Sequence, residues 1–182
     1  MNFVTVNLEN DHTHILILTD IMEKITQKPD ANIAHLETIA EIINNFVDGF
    51  HHTKEEDLLF PKMVEKGFSF QKGTIAFMIH DHVLGQNFLK NISDNISLYK
   101  EGNKAVLADI YTNMQRFIEL LRAHIEKENI VIFRMVDNTL SGEEQHNLIE
   151  KFKMVESNPI GGRYISDYII LIEQLAKTYN IL

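Results

Sequence analysis

Cysteine is absent from the chain, proline occurs three times and glycine eight times in 182 residues. Without cysteine there are no disulfides, no thiolate metal sites and no cysteine nucleophile. The few prolines and glycines cluster at a handful of breaks, which leaves long stretches free for uninterrupted helices. Cationic side chains are also scarce: 17 Lys and Arg against 26 Asp and Glu give a net charge of −9 with His neutral. That balance excludes the Lys/Arg-rich face a phosphate backbone requires, so no nucleic-acid partner is expected. No apolar run reaches the length of a bilayer span, and no N-terminal segment resembles a signal peptide. The expected setting is the cytoplasm, with no membrane partner. The chain is 45% hydrophobic and 24% charged, a composition that suits one soluble domain over residues 1–182 with a sizeable core. Histidine, by contrast, is plentiful at nine residues.

The hydrophobic periodicity is helical from end to end, with no sustained two-residue alternation. Helices are expected over about 8–27, 32–66, 73–99 and 104–138. Lys28-Pro29-Asp30, Gly67 and Glu101-Gly102-Asn103 form the breaks between them. Pro61 is a potential kink within the second. Ser141 is placed to cap a shorter helix to about 156, and SNPIGG at 157–162 separates it from a last helix over about 163–179. There is no internal repeat of fixed period. Long amphipathic helices with short connections predict an all-α fold: an up-down four-helix bundle over about 8–138, with additional C-terminal helices over about 141–180.

Polar residues interrupt the apolar stripes at matching places. The fourth helix carries Ile110, Met114, Phe117, Leu121, Ile132 and Met135 on one face, and the gap in that stripe holds His124 and Glu128. At about 100° per residue both fall within about 60° of the stripe centre. In the second helix the stripe is Ile43, Val47, Phe50 and Leu58, with His51 and Glu55 on its flank. His52, Lys54 and Glu56 are expected on a solvated charged face. Both helices therefore present His-x-x-x-Glu, which stacks an imidazole and a carboxylate one turn apart. In the third helix His82 lies among Met78, Gly85, Leu89, Ile92 and Ile96, while His80 points away. The first helix offers two choices: by phase alone His14 aligns better, with Leu18, Ile21 and Ile25, while His12 aligns with Leu8, Ile15 and Met22.

A single inward His–Glu pair is readily explained as a hydrogen bond in the core. Two such pairs with two further imidazoles call for a shared cation, because a buried carboxylate costs several kcal/mol unless it is compensated. Imidazole and carboxylate suit iron, manganese or zinc, and six ligands exceed what one zinc site with a reactive position uses. The set fits two metals, each Glu bridging both and two His terminating each. One oxo or hydroxo bridge would then make each metal about five-coordinate. Two iron ions are the leading expectation, with manganese or zinc as alternatives.

In order along the chain, DHTHILILTDIME, FHHTKEEDLLFPKMVEKG, MIHDHVLGQNFL and HIEKENIVIF resemble successive helices of the hemerythrin-like, or HHE cation-binding, family. GGRYISDYIILIEQLAKTY is similar to the C-terminal helix of one bacterial branch. The resemblance implies a four-helix bundle with a non-heme di-iron centre held by His12, His51, Glu55, His82, His124 and Glu128. It selects His12 in the first helix, because Asp20, Met22 and Glu23 also fall where the family pattern has similar residues. It departs from the oxygen carriers at Met78, where they have a fifth histidine, and this argues against reversible oxygen carriage. Ile132-Phe133-Arg134 replaces the frequent Leu-Phe-Pro, and Gln86 stands where Arg commonly follows the glycine. A branch that helps repair iron–sulfur centres carries a cysteine-bearing domain, and there is no cysteine here. The implied function is to bind or sense a small diatomic ligand, oxygen or nitric oxide, or to serve iron homeostasis. The alternative is a di-iron enzyme that reduces nitric oxide or decomposes peroxide, with Tyr99 or Tyr111 as a redox side chain, although packing is the simpler role for both.

Overall fold

The computed structural model describes residues 3–181, and within them the chain forms six helical rods. The first is α1 (Val4–Thr26). The second begins as α2 (Ile33–Ile42), continues through π-helical turns at Ile43–His52 and Lys54–Leu59, and ends as α3 (Phe60–Glu65). α4 (Thr74–Lys100) is the third. The fourth starts with a 3-10 turn at Lys104–Val106, runs as α5 (Leu107–Lys127), passes a π-helical turn at Glu128–Ile132 and finishes as α6 (Phe133–Thr139). α7 (Gly142–Glu156) and α8 (Ile165–Thr178) follow. Among the described residues there is no strand, only an isolated bridge between Ile160 and Arg163. No helix is long and apolar enough to cross a membrane.

The boundaries follow from local chemistry. Gly67 and Gly73 take positive φ (100° and 79°) on either side of the second break, a conformation that costs glycine little. Pro61 sits in the first turn of α3, where the preceding π-helical bonds have already interrupted the regular ladder, so its missing N–H does not break the rod. α1 starts earlier than periodicity alone predicts. Val4 is fully buried and its backbone N–H donates to Gln145 Oε1 of α7 at 2.9 Å, so a tertiary contact supports the extra turn.

Two apolar clusters make up the interior. One contains Ile15, Leu18, Phe46, Phe50, Leu89, Met114 and Phe117; the other contains Leu8, Leu59, Phe60, Met63, Met78, Ile132 and Phe133. α1 and α4 run from the second cluster to the first, and the other two rods run back, which is the up-down order. Each rod changes cluster where the sequence interrupts its stripe: between Leu8 and Ile15, Phe50 and Leu59, Met78 and Leu89, and Leu121 and Ile132. A polar layer therefore divides the core.

α7 and α8 pack on the outside of the first two rods. Tyr168 of α8 is fully buried beside Phe50 and donates to Ile160 O at 2.8 Å. Ser141 caps α7 reciprocally: its Oγ accepts from Glu144 N, and the Glu144 carboxylate accepts from Ser141 N at 2.9 Å. Ser141→Ala is expected to lower stability by about 1 kcal/mol in urea denaturation, the typical loss of an N-cap.

Candidate metal centre

The polar layer brings His12, His51, Glu55, His82, His124 and Glu128 together, all buried. His12 and His51 pair at one position, Nε2 to Nε2 3.1 Å with ring centroids 4.7 Å apart. His82 and His124 pair at the other, Nε2 to Nε2 3.1 Å with centroids 4.8 Å apart. The two carboxylates span the pairs. Glu55 lies 3.7 Å from His51 Nε2 through one oxygen and 3.4 Å from His82 Nε2 through the other. Glu128 reaches His12 Nε2 and His124 Nε2, each at 3.2 Å. Four imidazole nitrogens and four carboxylate oxygens thus face one small volume with pseudo-twofold symmetry.

These oxygens are the test of fit for a cation. Both oxygens of Glu55 and both of Glu128 are buried without a hydrogen-bond partner. Such groups cost several kcal/mol in a core unless a positive charge meets them. Without one, burial and then the neighbouring Glu128 charge push the Glu55 carboxyl well above its usual range. Burial also disfavours ionised Glu128, but the His124 and His12 imidazoles outweigh it and hold that carboxyl well below. Two sets lie within ligand reach: His12, His51, Glu55 and Glu128 form one, and His52, Glu55, His82 and His124 the other. The residues fit cation binding at both, and in the second set His52 lies flat on His82 instead of diverging from it as His124 does.

The Nδ1 atoms reveal a second layer. Asp11 Oδ2 accepts from His51 Nδ1 at 3.1 Å, Glu56 Oε1 from His82 Nδ1 at 2.6 Å, and Asn129 Oδ1 from His12 Nδ1 at 2.7 Å. Asp81 Oδ2 faces His124 Nδ1 at 3.5 Å. Each oxygen comes from the residue adjacent to its own helix's inward group: Asp11 beside His12, Glu56 beside Glu55, Asp81 beside His82, Asn129 beside Glu128. Three of them hydrogen-bond the imidazole of the next rod and Asp81 faces that of His124 as an ion pair, so the links run from first to second to third to fourth and back to the first. Fixing Nδ1 in this way leaves Nε2 as the inward lone pair, the arrangement that orients metal-binding histidines. The His124 imidazole, followed by the Lys127 ammonium at 2.9 Å, holds the Asp81 carboxyl down at about 2.

Three sequence expectations are corrected. His52 does not face water; it is buried, and its ring stacks on His82 with centroids 3.7 Å apart. Glu56 is no bystander either, since it supports His82. Lys54 is fully buried, with Nζ 2.6 Å from Asp11 Oδ2, 2.8 Å from Glu156 Oε1 and 2.7 Å from Asn7 Oδ1. The first follows from the π-helical turns: i→i+5 bonding adds a residue to each turn, so successive side chains advance by less than about 100° and His51, His52 and Glu55 share one face. Lys54 is buried because α7 covers the side of the rod that a bare four-helix bundle leaves in water. On α1 the cluster takes His12, while His14 is half-buried and outside both sets, against the phase preference. Tyr99 packs in the apolar cluster beneath Lys104, about 25 Å along α4 from His82 at 1.5 Å per residue, away from the centre.

Aromatic rings close the layer. Phe133 stacks on His12 at 5.3 Å and Phe60 lies 6.2 Å from His82. Beside His82 and His124 a cavity of ≈ 10 Å³ runs between α4 and α5, lined by Gly85, Phe117 and Leu121. A Cβ on Gly85 would sit 3.4 Å from the Phe117 ring, so this glycine sets the width of the slot.

A helical bundle with imidazoles from all four rods around two spanning carboxylates defines the class of carboxylate–histidine metal-binding bundles. Residues 4–136 match the family model of the hemerythrin HHE cation-binding domain, and the chain belongs to that family. Comparison with curated proteins and with solved structures finds no match.

Proposed function

We propose that the chain is a non-heme di-iron protein that binds or senses a small diatomic ligand, oxygen or nitric oxide. The observation that carries this reading is the pair of carboxylates, each extended between two imidazole pairs with its oxygens otherwise unpartnered. Glu55 and Glu128 would each be shared by two metal positions in that arrangement. His12 and His51 would terminate one, His82 and His124 the other. Nitrogen and oxygen donors without any thiolate favour iron, with manganese or zinc as the competing occupants. When bound, a di-iron pair supplies redox-active sites for a small ligand. The cavity beside His82 and His124 matches that scale, since ≈ 10 Å³ is about the space one water-sized molecule needs. A role in iron homeostasis would use the same ligands.

Protein purified without added metal is expected to contain two iron ions per chain by elemental analysis. The anaerobic reduced protein should then change its near-ultraviolet and visible absorption on addition of oxygen or nitric oxide. A content of one metal or none per chain would overturn the reading. Sustained consumption of nitric oxide or peroxide with an electron donor would turn it toward the enzyme alternative.

A further inference from the structure

The near-symmetry of the centre fails at one place. The ring stacked on His12 is Phe133, with planes 10° apart and nothing to donate. His82 carries Phe60 in the matching place, at 6.2 Å, and in addition a second stacked ring, His52, at 3.7 Å with planes 15° apart. His52 is 94% shielded from solvent, yet neither of its nitrogens makes a hydrogen bond. Its Nδ1 lies 2.9 Å from Asp48 Oδ1 but out of line for a hydrogen bond, and Nε2 has no partner at all. A buried polar side chain left in this state costs free energy unless a partner completes it.

Two partners are conceivable, a metal and a metal-bound ligand, and the ring geometry separates them. Imidazoles that share one metal diverge, as the two pairs do with planes 59° and 60° apart and centroids 4.7 Å and 4.8 Å apart. His52 instead lies flat on His82 at 3.7 Å, so it occupies the side of a ligand rather than a ligand position. One of its nitrogens is nevertheless within 4.8 Å of donor atoms of Glu55, His82 and His124. It also lines the ≈ 10 Å³ cavity that Gly85 and Phe117 leave beside that metal position.

The geometry points to His52 as a hydrogen-bond donor to a diatomic ligand at the metal position held by His82 and His124. This rests on the di-iron reading and deepens it: the two positions are unequal, and the small ligand goes to the one with a polar neighbour. The position of His12 and His51, backed by Phe133, offers no such donor. An imidazole N–H of His52 held in that dry slot would donate to the partial negative charge on a bound diatomic and so slow its release.

The test uses the diferrous protein with nitric oxide as the probe, comparing wild type with His52→Ala and His52→Gln. Iron content and the number of hyperfine-shifted, exchangeable imidazole N–H resonances should be the same in all three. In His52→Ala the N–O stretching frequency should rise and nitric oxide should dissociate roughly tenfold faster, the loss of one hydrogen bond. His52→Gln, which keeps an N–H donor, should recover part of both changes. If His52→Ala loses iron or one shifted imidazole resonance, His52 is a metal ligand and the donor role is wrong. An unchanged stretch and dissociation rate would reduce His52 to a packing ring. Should the wild type hold fewer than two irons, the di-iron reading fails first, so the two failures are distinguishable.

Discussion

Glu128→Ala is expected, on the proposed di-iron reading, to reduce bound metal from two ions per chain to less than one, because this carboxylate faces both imidazole pairs at once. Its oxygens lie 3.2 Å from His12 Nε2 and 3.2 Å from His124 Nε2, one imidazole from each pair. Glu128→Gln preserves the volume and removes the charge, so it should fail in the same way and exclude a cavity effect. Elemental analysis after desalting decides the matter; two retained ions in either variant would refute the bridging role. The metal-free proteins add a pH signature. Burial lowers the His124 pKa, but the Glu128 charge and then Asp81 outweigh it and raise it to about 9. A raised histidine stabilises fully below its unfolded value near 6.5 and loses that contribution as pH climbs through about 9. Glu128, held below the ordinary glutamate value near 4.5, stabilises above that value and loses its contribution as pH falls. The stability gap between metal-free wild type and Glu128→Ala should therefore be widest between about pH 5 and 6.5 and close toward pH 9.

Replacement of Lys54 by methionine is expected to cost about 3–5 kcal/mol, more than any surface substitution in the chain. The ammonium has no exposure and sits between Asp11 of α1 and Glu156 of α7, with Asn7 accepting a third bond. Methionine fills the volume but strands two carboxylates, one of them buried. Burial tends to raise the Asp11 carboxyl; the His51 hydrogen bond and the Lys54 charge together overcome it and hold it below its ordinary value. A depressed carboxyl stabilises above its unfolded value, near 3.8, and that benefit fades as pH falls through the folded one. The deficit of Lys54→Met in urea should accordingly be full at pH 7 and shrink in acid. A variant within 1 kcal/mol of wild type at pH 7, roughly the worth of an exposed pair, would show that the cation is dispensable.

The rods were legible because their apolar stripes are long and their breaks carry proline, glycine and a capping serine. Five inward ligand candidates were legible for the same reason: His82, His124 and Glu128 lie within an apolar stripe, and His51 and Glu55 on the flank of one. Register within the second rod was not, because an i→i+5 turn is invisible to a 3.6-residue wheel; His52 and Glu56 were placed in solvent by that wheel. Helix phase alone leaned to His14 where the cluster takes His12, and for a different cause. α1 is covered by α7 and α8 as well as by the bundle, so apolar residues ring much of it and phase loses its meaning. Lys54 depends on the same covering helices, whose docking site no local pattern encodes. One signal for the outer shell was present throughout: every inward cluster has an oxygen-bearing neighbour next to it in sequence, at Asp11, Glu56, Asp81 and Asn129.

The closed circuit of Nδ1 links has a consequence for how the chain reaches its native state. Its members are separated by 40, 26 and 117 residues along the chain at the Asp11–His51, Glu56–His82 and His12–Asn129 contacts. The longest of these joins the first rod to the fourth, and its closure entropy is repaid only when the whole bundle is assembled. A partly folded chain can orient some of the imidazoles but cannot present the complete donor set. Metal uptake would thus act as a proofreading step on folding, since a cation is held firmly only by a chain whose last rod has found its first.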